Sequence, residues 1–234
     1  MLRHIDSNKM GRSRQGWLDS YFHFSFAEYH NPDNIQFGVL RVLNDDRVQP
    51  GEGFDTHPHK NMEIISYVVE GELSHADSMN NEETLTRGQV QYMSAGTGVF
   101  HSEYNRGETL LRFLQIWILP DKNGYSPNYG SQRFAWEERL NKWMPIAAGT
   151  GSESTAPIRV HADINVYAAY LDCGKSLDFK VAPGRQAYMV TIEGTAGANG
   201  VVMSTRDAIE ITEEDVAVTA AEPAHVVVLE MAKG

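Results

Sequence analysis

The sequence predicts an all-β protein of two tandem β-barrels, with a metal site in the first and none in the second. Short apolar, β-branched runs stop at Gly or Pro with no regular helical periodicity between them. One pair of histidine-bearing segments in the first half has no counterpart in the second.

The runs come in order along the chain. Glu63–Glu70 (EIISYVVE) stops at Gly71, and Leu111–Leu119 (LRFLQIWIL) stops at Pro120. Tyr188–Glu193 (YMVTIE) stops at Gly194, and Val226–Met231 (VVVLEM) comes last. Gly and Asn clusters lie between them, at Asn80-Asn81, Gly96 with Gly98, and Gly197 to Gly200. Strands so spaced argue for a barrel or sandwich rather than a parallel α/β sheet. The best helix candidate, Arg133–Met144, is short and sits in the polar, turn-rich stretch Pro127–Pro157. A boundary near residue 140 is expected, giving domains 1–140 and 141–234. A weak repeat supports equivalent halves, because Glu63–Gly71 matches Gln186–Gly194 at an offset of 123. With 234 residues the chain can supply two compact halves.

Composition narrows the function classes. The formal net charge of −11 repels nucleic-acid phosphate and anionic lipid, and Arg12 with Arg14 is too sparse a patch to offset it. Neither a nucleic acid nor a membrane is therefore an expected partner. No segment approaches the roughly 20 apolar residues of a membrane-spanning helix, and Met1 to Gly16 lacks the apolar core of a secretory signal. Cys173 is the only cysteine, which excludes an intrachain disulfide; it is expected to be inert in the core, and the cytoplasm is the expected compartment.

The chemistry lies in Gly51-x5-His57-x-His59-x3-Glu63, followed by Gly71. Side chains alternate along a strand, so His57 and His59 face one way and can converge on one ion. Pro58 between them cannot donate to a ladder, which suggests a strand start or an edge. Further on, Ser94 to Asn105 (SAGTGVFHSEYN) places His101 and Glu103 at the same i, i+2 spacing. Two adjacent strands would each offer two ligands, three neutral imidazoles and one carboxylate. That set suits Fe(II), Mn(II), Ni(II), Co(II) or Zn(II), with open positions on an octahedral ion. At the offset of 123 the second half has Lys180, Ala182 and Gln186, which are no ligand set, and His161 and His225 stand isolated.

Other residues have plain readings. Phe22, Phe24 and Phe26 alternate as on a half-buried strand, Trp17 and Tyr21 pack or border a flat pocket, and Asp45-Asp46 is a turn. There is no Gly-rich phosphate loop, Ser-His-Asp order or dinucleotide fingerprint.

The two histidine segments resemble the paired motifs of the cupins and, more specifically, the pirin family with its bacterial quercetinase-like members. Gly16-Trp17-Leu18-Asp19-Ser20, Phe22 to Phe26, Leu40 to Asp46 and the Ser94–Gly98 run before His101-Ser102-Glu103 are all pirin-like. The second motif has Gly96-Thr97-Gly98 where most cupins have Pro-x-Gly, and the likeness thins after about residue 135. The resemblance implies two cupin (jelly-roll) barrels, the second degenerate and without metal. Most cupins take the carboxylate ligand from the position of Glu63, whereas pirins resemble Glu103; both readings stand on sequence. The favoured ligands are His57, His59, His101 and Glu103, with Glu63 or Glu103 as the catalytic acid/base and Glu63 otherwise a structural carboxylate. The resemblance further implies a quercetin 2,3-dioxygenase-like oxygenase with one divalent ion, iron first, acting on a small aromatic substrate and O2. The alternative reading is a non-catalytic, metal-binding regulatory or redox-sensing protein with a protein partner; a third is another metal-dependent cupin enzyme, such as an isomerase.

Overall fold

The computed structural model describes residues 1–234, which form twenty-two strands and two short 3-10 turns. No helix is long and apolar enough to cross a membrane. The chain divides into two compact units: Gly11–Phe134 with Val160–Ala162, and Met1–Met10 with Ala135–Arg159 and Asp163–Gly234.

Strand β1 (Leu2–Ile5) belongs to the second of these units. The first is built from β2 (Gly11–Arg14), β3 (Leu18–Phe22), β4 (Leu40–Val48), β5 (Gly53–His59), β6 (Glu63–Glu70), β7 (Glu72–Asp77), β8 (Glu82–Thr86), β9 (Val90–Ser94), β10 (Val99–Tyr104), β11 (Leu111–Ile118) and β12 (Asn128–Gln132). They form a seven-stranded sheet, β12-β9-β6-β11-β4-β3-β2, and a four-stranded sheet, β5-β10-β7-β8. β5 is an edge strand, and Pro58 sits in it opposite Phe100, where the missing N–H disturbs least.

The long sheet buries three layers. Leu18, Val48, Val68, Leu111 and Phe113 pack as one apolar cluster, and Ile64, Met93 and Val99 as another. Between the two runs a polar row of cross-strand partners: Asn44 pairs with Gln115, Gln115 with Ser66, and Ser66 with Gln91. Directly paired residues share a face, so this row spans β4, β11, β6 and β9 in the interior.

The second unit continues with β13 (Met144–Gly149), β14 (Ile158–Val160), β15 (Ile164–Leu171), β16 (Ser176–Phe179), β17 (Arg185–Glu193), β18 (Ala196–Ala198), β19 (Val201–Met203), β20 (Ala208–Thr212), β21 (Val216–Ala220) and β22 (Ala224–Ala232). Its sheets are β1-β20-β17-β22-β15-β13-β14 and β16-β21-β18-β19. Small and branched apolar residues such as Ala169, Met189, Val226 and Val228 fill it. The sequence repeat has a backbone basis. β6 and β17 each end in Glu-Gly, and Gly71 and Gly194 both take a left-handed φ of 75°. A Cβ there would lie 2.5 Å from the Leu110 carbonyl oxygen or 2.1 Å from that of Pro223. At the repeat offset, Lys180 and Ala182 lie exposed between β16 and β17, and the Gln186 amide donates to the Ala232 carbonyl.

Several local expectations fail. Arg133–Met144 is no helix: only Trp136–Arg139 makes a 3-10 turn, Asn141 turns left-handed at φ 53°, and strand resumes at Met144. Pro145 pushes the residue before it to extended backbone, and Arg139 is buried with its guanidinium 4.7 Å from the Trp136 ring. Asp45-Asp46 is no turn but mid-strand in β4, both buried. β3 ends at Phe22, so Phe24 and Phe26 do not continue it. Cys173 is exposed, with its thiol donating to the Ala221 carbonyl.

Gly71→Ala is expected to destabilise the protein by about 1–3 kcal/mol, because it adds left-handed strain and a backbone clash. A denaturation midpoint equal to wild type would contradict this.

Candidate metal centre

β5 and β10 pair antiparallel with His57 opposite His101, and the register shifts between His101 and Glu103. Such a bulge re-aims side chains. It accompanies a hydrogen bond from His57 Nδ1 to the Asp55 carbonyl at 2.7 Å. With its proton on Nδ1, His57 presents the Nε2 lone pair, which lies 3.1 Å from His101 Nε2. The rings of His57, His59 and His101 lie 4.5 to 4.9 Å apart, and their nitrogens gather within 4.8 Å. Trp117 meets the His59 ring edge-on at 4.8 Å.

Electrostatics keep two of these imidazoles, His59 and His101, neutral. Burial, then the neighbouring His101 and His57, lowers His59 to about 4; burial, then His57 and His75, lowers His101 to about 3. Neutral imidazoles with converging lone pairs are the state a divalent cation requires.

Glu103, 2% exposed, comes from the same strand. Its Oε1 accepts from Gln91 Nε2 at 2.7 Å and lies 2.9 Å from Ser66 Oγ; its Oε2 accepts from Gln115 Nε2 at 2.6 Å. An ionised carboxylate has about four lone-pair positions. Three of them face the polar row, which leaves one on Oε2 for a cation. The Ser66 hydroxyl lies equally near Gln115 Oε1, and its one proton serves either acceptor.

Sequence reasoning missed His75. On β7 it is the cross-strand partner of Glu103, and it groups with His101 and Glu103 within 4.8 Å. Its Nε2 meets Asp77 Oδ2 at 3.0 Å, and its ring stacks on Tyr129 at 4.4 Å. Burial opposes charge on Asp77, but hydrogen bonds from His75, Asn81 and the Asn81 and Met79 amides hold it below its ordinary value. The signal was present: His75-x-Asp77 repeats the i, i+2 spacing of the other two pairs.

Glu63 does not join the histidines. Asn61 is left-handed at φ 50°, so the chain leaves β5 after His59 and enters the other sheet as β6. The Glu63 carboxylate, 1% exposed, accepts from Ser94 Oγ at 2.7 Å and from the His161 amide at 3.1 Å. Nor is His161 isolated: its Nδ1 lies 3.3 Å from Glu63 and its ring stacks on Tyr125 at 3.6 Å. In the second unit His225 is fully buried, with Nδ1 3.0 Å from Glu193.

A cavity of about 360 Å³ opens onto this cluster, with His57, His59 and Glu103 on its wall and Trp17, Phe54 and Trp117 beside them. Trp17, read chiefly as packing, thus borders the space and meets Phe54 edge-on at 5.4 Å.

Comparison with known proteins agrees with this arrangement. The Pirin family model matches residues 5–118, and a model for the quercetinase C-terminal cupin domain matches residues 146–231. The chain belongs to the pirin family. It is 41% identical over 209 residues to the quercetin 2,3-dioxygenase of Escherichia coli K12, covering 89% of this chain and 88% of that protein. It is 40% identical over 227 residues to a pirin-like protein of Caulobacter vibrioides, covering 96% and 97%. The crystal structure of the bacterial pirin YhhW from Escherichia coli in complex with nickel(II) matches with a TM-score of 0.93 at 36% identity, covering all of both chains. The fold is thus the two-barrel cupin fold of a pirin, with a histidine and glutamate cluster that could hold a metal.

Two tests follow from the geometry. Gln115→Leu, which removes one donor to a buried carboxylate, is expected to destabilise the protein by about 1–3 kcal/mol; an unchanged midpoint would contradict the role given to the row. For pH, the folded values of His59 and His101 lie below the unfolded value of about 6.5, so between them the unfolded chain binds more protons. Their contribution is full above about pH 6.5 and is lost as pH falls through about 4 and 3. The melting temperature of metal-free wild type, minus that of His59→Gln, should therefore drop across that window; a flat difference would contradict it.

Proposed function

We propose that this pirin is a metal-dependent oxygenase of the quercetin 2,3-dioxygenase type, opening a flavonol-class substrate with O2 and releasing carbon monoxide. In this reading His57, His59, His101 and Glu103 hold one divalent ion, iron before manganese, nickel, cobalt or zinc. The observation that carries it is the aromatic-walled cavity ending on the histidine and glutamate cluster. Its volume is of the size that small-molecule sites show, on the order of 300–1,000 Å³. The name of the Escherichia coli relative supports the reaction class, and the nickel complex of YhhW supports a divalent ion.

When bound, the ion supplies Lewis-acid stabilisation of an enolate-like oxyanion. The protein's own groups do the rest. The Asp55 carbonyl fixes the His57 tautomer. Gln91, Ser66 and Gln115 hold Glu103 in place, and the one lone pair they leave free, on Oε2, would face the ion or, when the three histidines alone hold the ion, take the proton of the substrate 3-hydroxyl. Trp17, Phe54 and Trp117 exclude water and align a flat ring system. Glu63, committed to Ser94 and His161, has no part in proton transfer.

The test is loss of the quercetin absorption band in air and under argon. Protein is reconstituted separately with Fe(II), Mn(II), Ni(II), Co(II) or Zn(II), and His101→Ala is the control. Oxygen-dependent loss that disappears in His101→Ala is expected. No loss with any metal, despite one bound ion per chain, would overturn the proposal.

A further inference from the structure

The cavity has a second polar wall that neither the metal ligands nor the proton transfer uses. Asn44 and Asp46, two apart on β4, both line it. Each is nearly fully buried, Asn44 at 3% and Asp46 at 4% exposure. Asn44 Oδ1 has no hydrogen-bond partner, and neither does Trp117 Nε1 on a neighbouring part of the wall. A buried acceptor left unpaired costs about 1–3 kcal/mol, so this placement needs a partner that arrives from the cavity.

Asp46 is arranged unlike its neighbour. Asp45 points to the opposite face of β4 and forms a two-pronged pair with Arg112, at 2.9 Å from Nε and 2.5 Å from Nη2. Asp46 has a hydroxyl instead of a cation, with Ser20 Oγ donating to Oδ1 at 2.5 Å. Burial, against that hydrogen bond and with the charges of Asp45 and Glu103, pushes Asp46 up to about 7. A carboxyl that keeps its proton so readily can donate to a phenolic oxygen as well as accept from a phenolic hydroxyl. Asn44 Oδ1 accepts and Trp117 Nε1 donates. The three groups suit neutral hydroxyls carried on a flat ring, not a cation.

Strand spacing sets this wall off from the donor to Glu103. Gln115, which bonds Glu103, is the direct cross-strand partner of Asn44. Asn44 is thus one strand spacing, about 5 Å, from Gln115, and Asp46 lies about 7 Å farther along β4. A ligand whose oxygens face the histidines at one end would bring a remote substituent to this wall.

We propose that Asn44 and Asp46 form a hydroxyl-recognition subsite, so that the ligand is a polyhydroxylated aromatic with at least one hydroxyl remote from its metal-facing oxygens. This rests on the cavity being the substrate site proposed above, and it names the class of substrate that the site selects.

The test is equilibrium binding, read by fluorescence under argon on Ni(II)-loaded protein, of quercetin against 3-hydroxyflavone. The latter keeps the 3-hydroxyl and 4-keto pair but lacks the remote hydroxyls. Wild type should bind quercetin at least about tenfold tighter. That ratio should fall to below about threefold in Asn44→Leu and in the isosteric Asp46→Asn, each checked for wild-type melting and one ion per chain. Should Asn44→Leu not fold, Asp46→Asn alone decides. Equal affinities in wild type, a ratio that survives in the variants, or no binding of either compound would overturn the subsite. The two proposals fail separately. A variant-sensitive preference without oxygen-dependent turnover would sink the dioxygenase reading and leave the subsite standing. Turnover without the preference would do the reverse.

Discussion

A carboxylate in the middle of a β-barrel must be met by donors, and much of the first unit follows from how Glu103 is met. At 2% exposure it meets little water, and an unpaired buried carboxylate would be far costlier than the strand that carries it could offset. The answer is a row of Gln91, Ser66 and Gln115 across three paired strands, with Asn44 on the fourth. The row splits the interior into two apolar clusters, so the sheet cannot slip by one residue without turning four polar side chains outward. In the four-stranded sheet that carries Glu103, His57 lies opposite His101 and His75 opposite Glu103.

The second unit shows the same scaffold without this demand. The order of its central strands, β20-β17-β22-β15, and of its four-stranded sheet repeats that of the first, and its central hairpins close on the same left-handed glycine geometry. Its core cluster is mostly alanine, valine, isoleucine and methionine, and the residues paired across β20, β17 and β22 where the first unit has Gln91, Ser66 and Gln115 are Ile209, Met189 and Val228. The positions equivalent to His57 and His59, Lys180 and Ala182, lie exposed between strands. The turn glycines belong to the fold; the histidines and the donor row belong to the site.

β4 shows how one strand serves two purposes. Asp45 faces Arg112, where a buried pair with two hydrogen bonds balances its charge. Asp46 faces the cavity, with only a serine hydroxyl donating to it. A dipeptide that looks like a turn instead sets two carboxyls on opposite faces of one strand, separated by strand alternation.

Period-two alternation is local, and what depends on it was legible: the strands around Gly71, Pro120 and Gly194, the pairing of His57 with His59 and of His101 with Glu103 on single strands, and the edge position of Pro58. The density of pirin-like residues in the first half likewise carried the fold. What depends on non-local pairing was not legible. Residues 44, 66, 91 and 115 are scattered in sequence, and only register makes them one row. Glu63 follows His59 by only four residues, yet a left-handed Asn61 moves it to the other sheet, and His75 acquired its place from the strand opposite. A sequence fixes which face a side chain takes within its strand; which strand lies across from it is decided by the closure of the barrel around a buried charge.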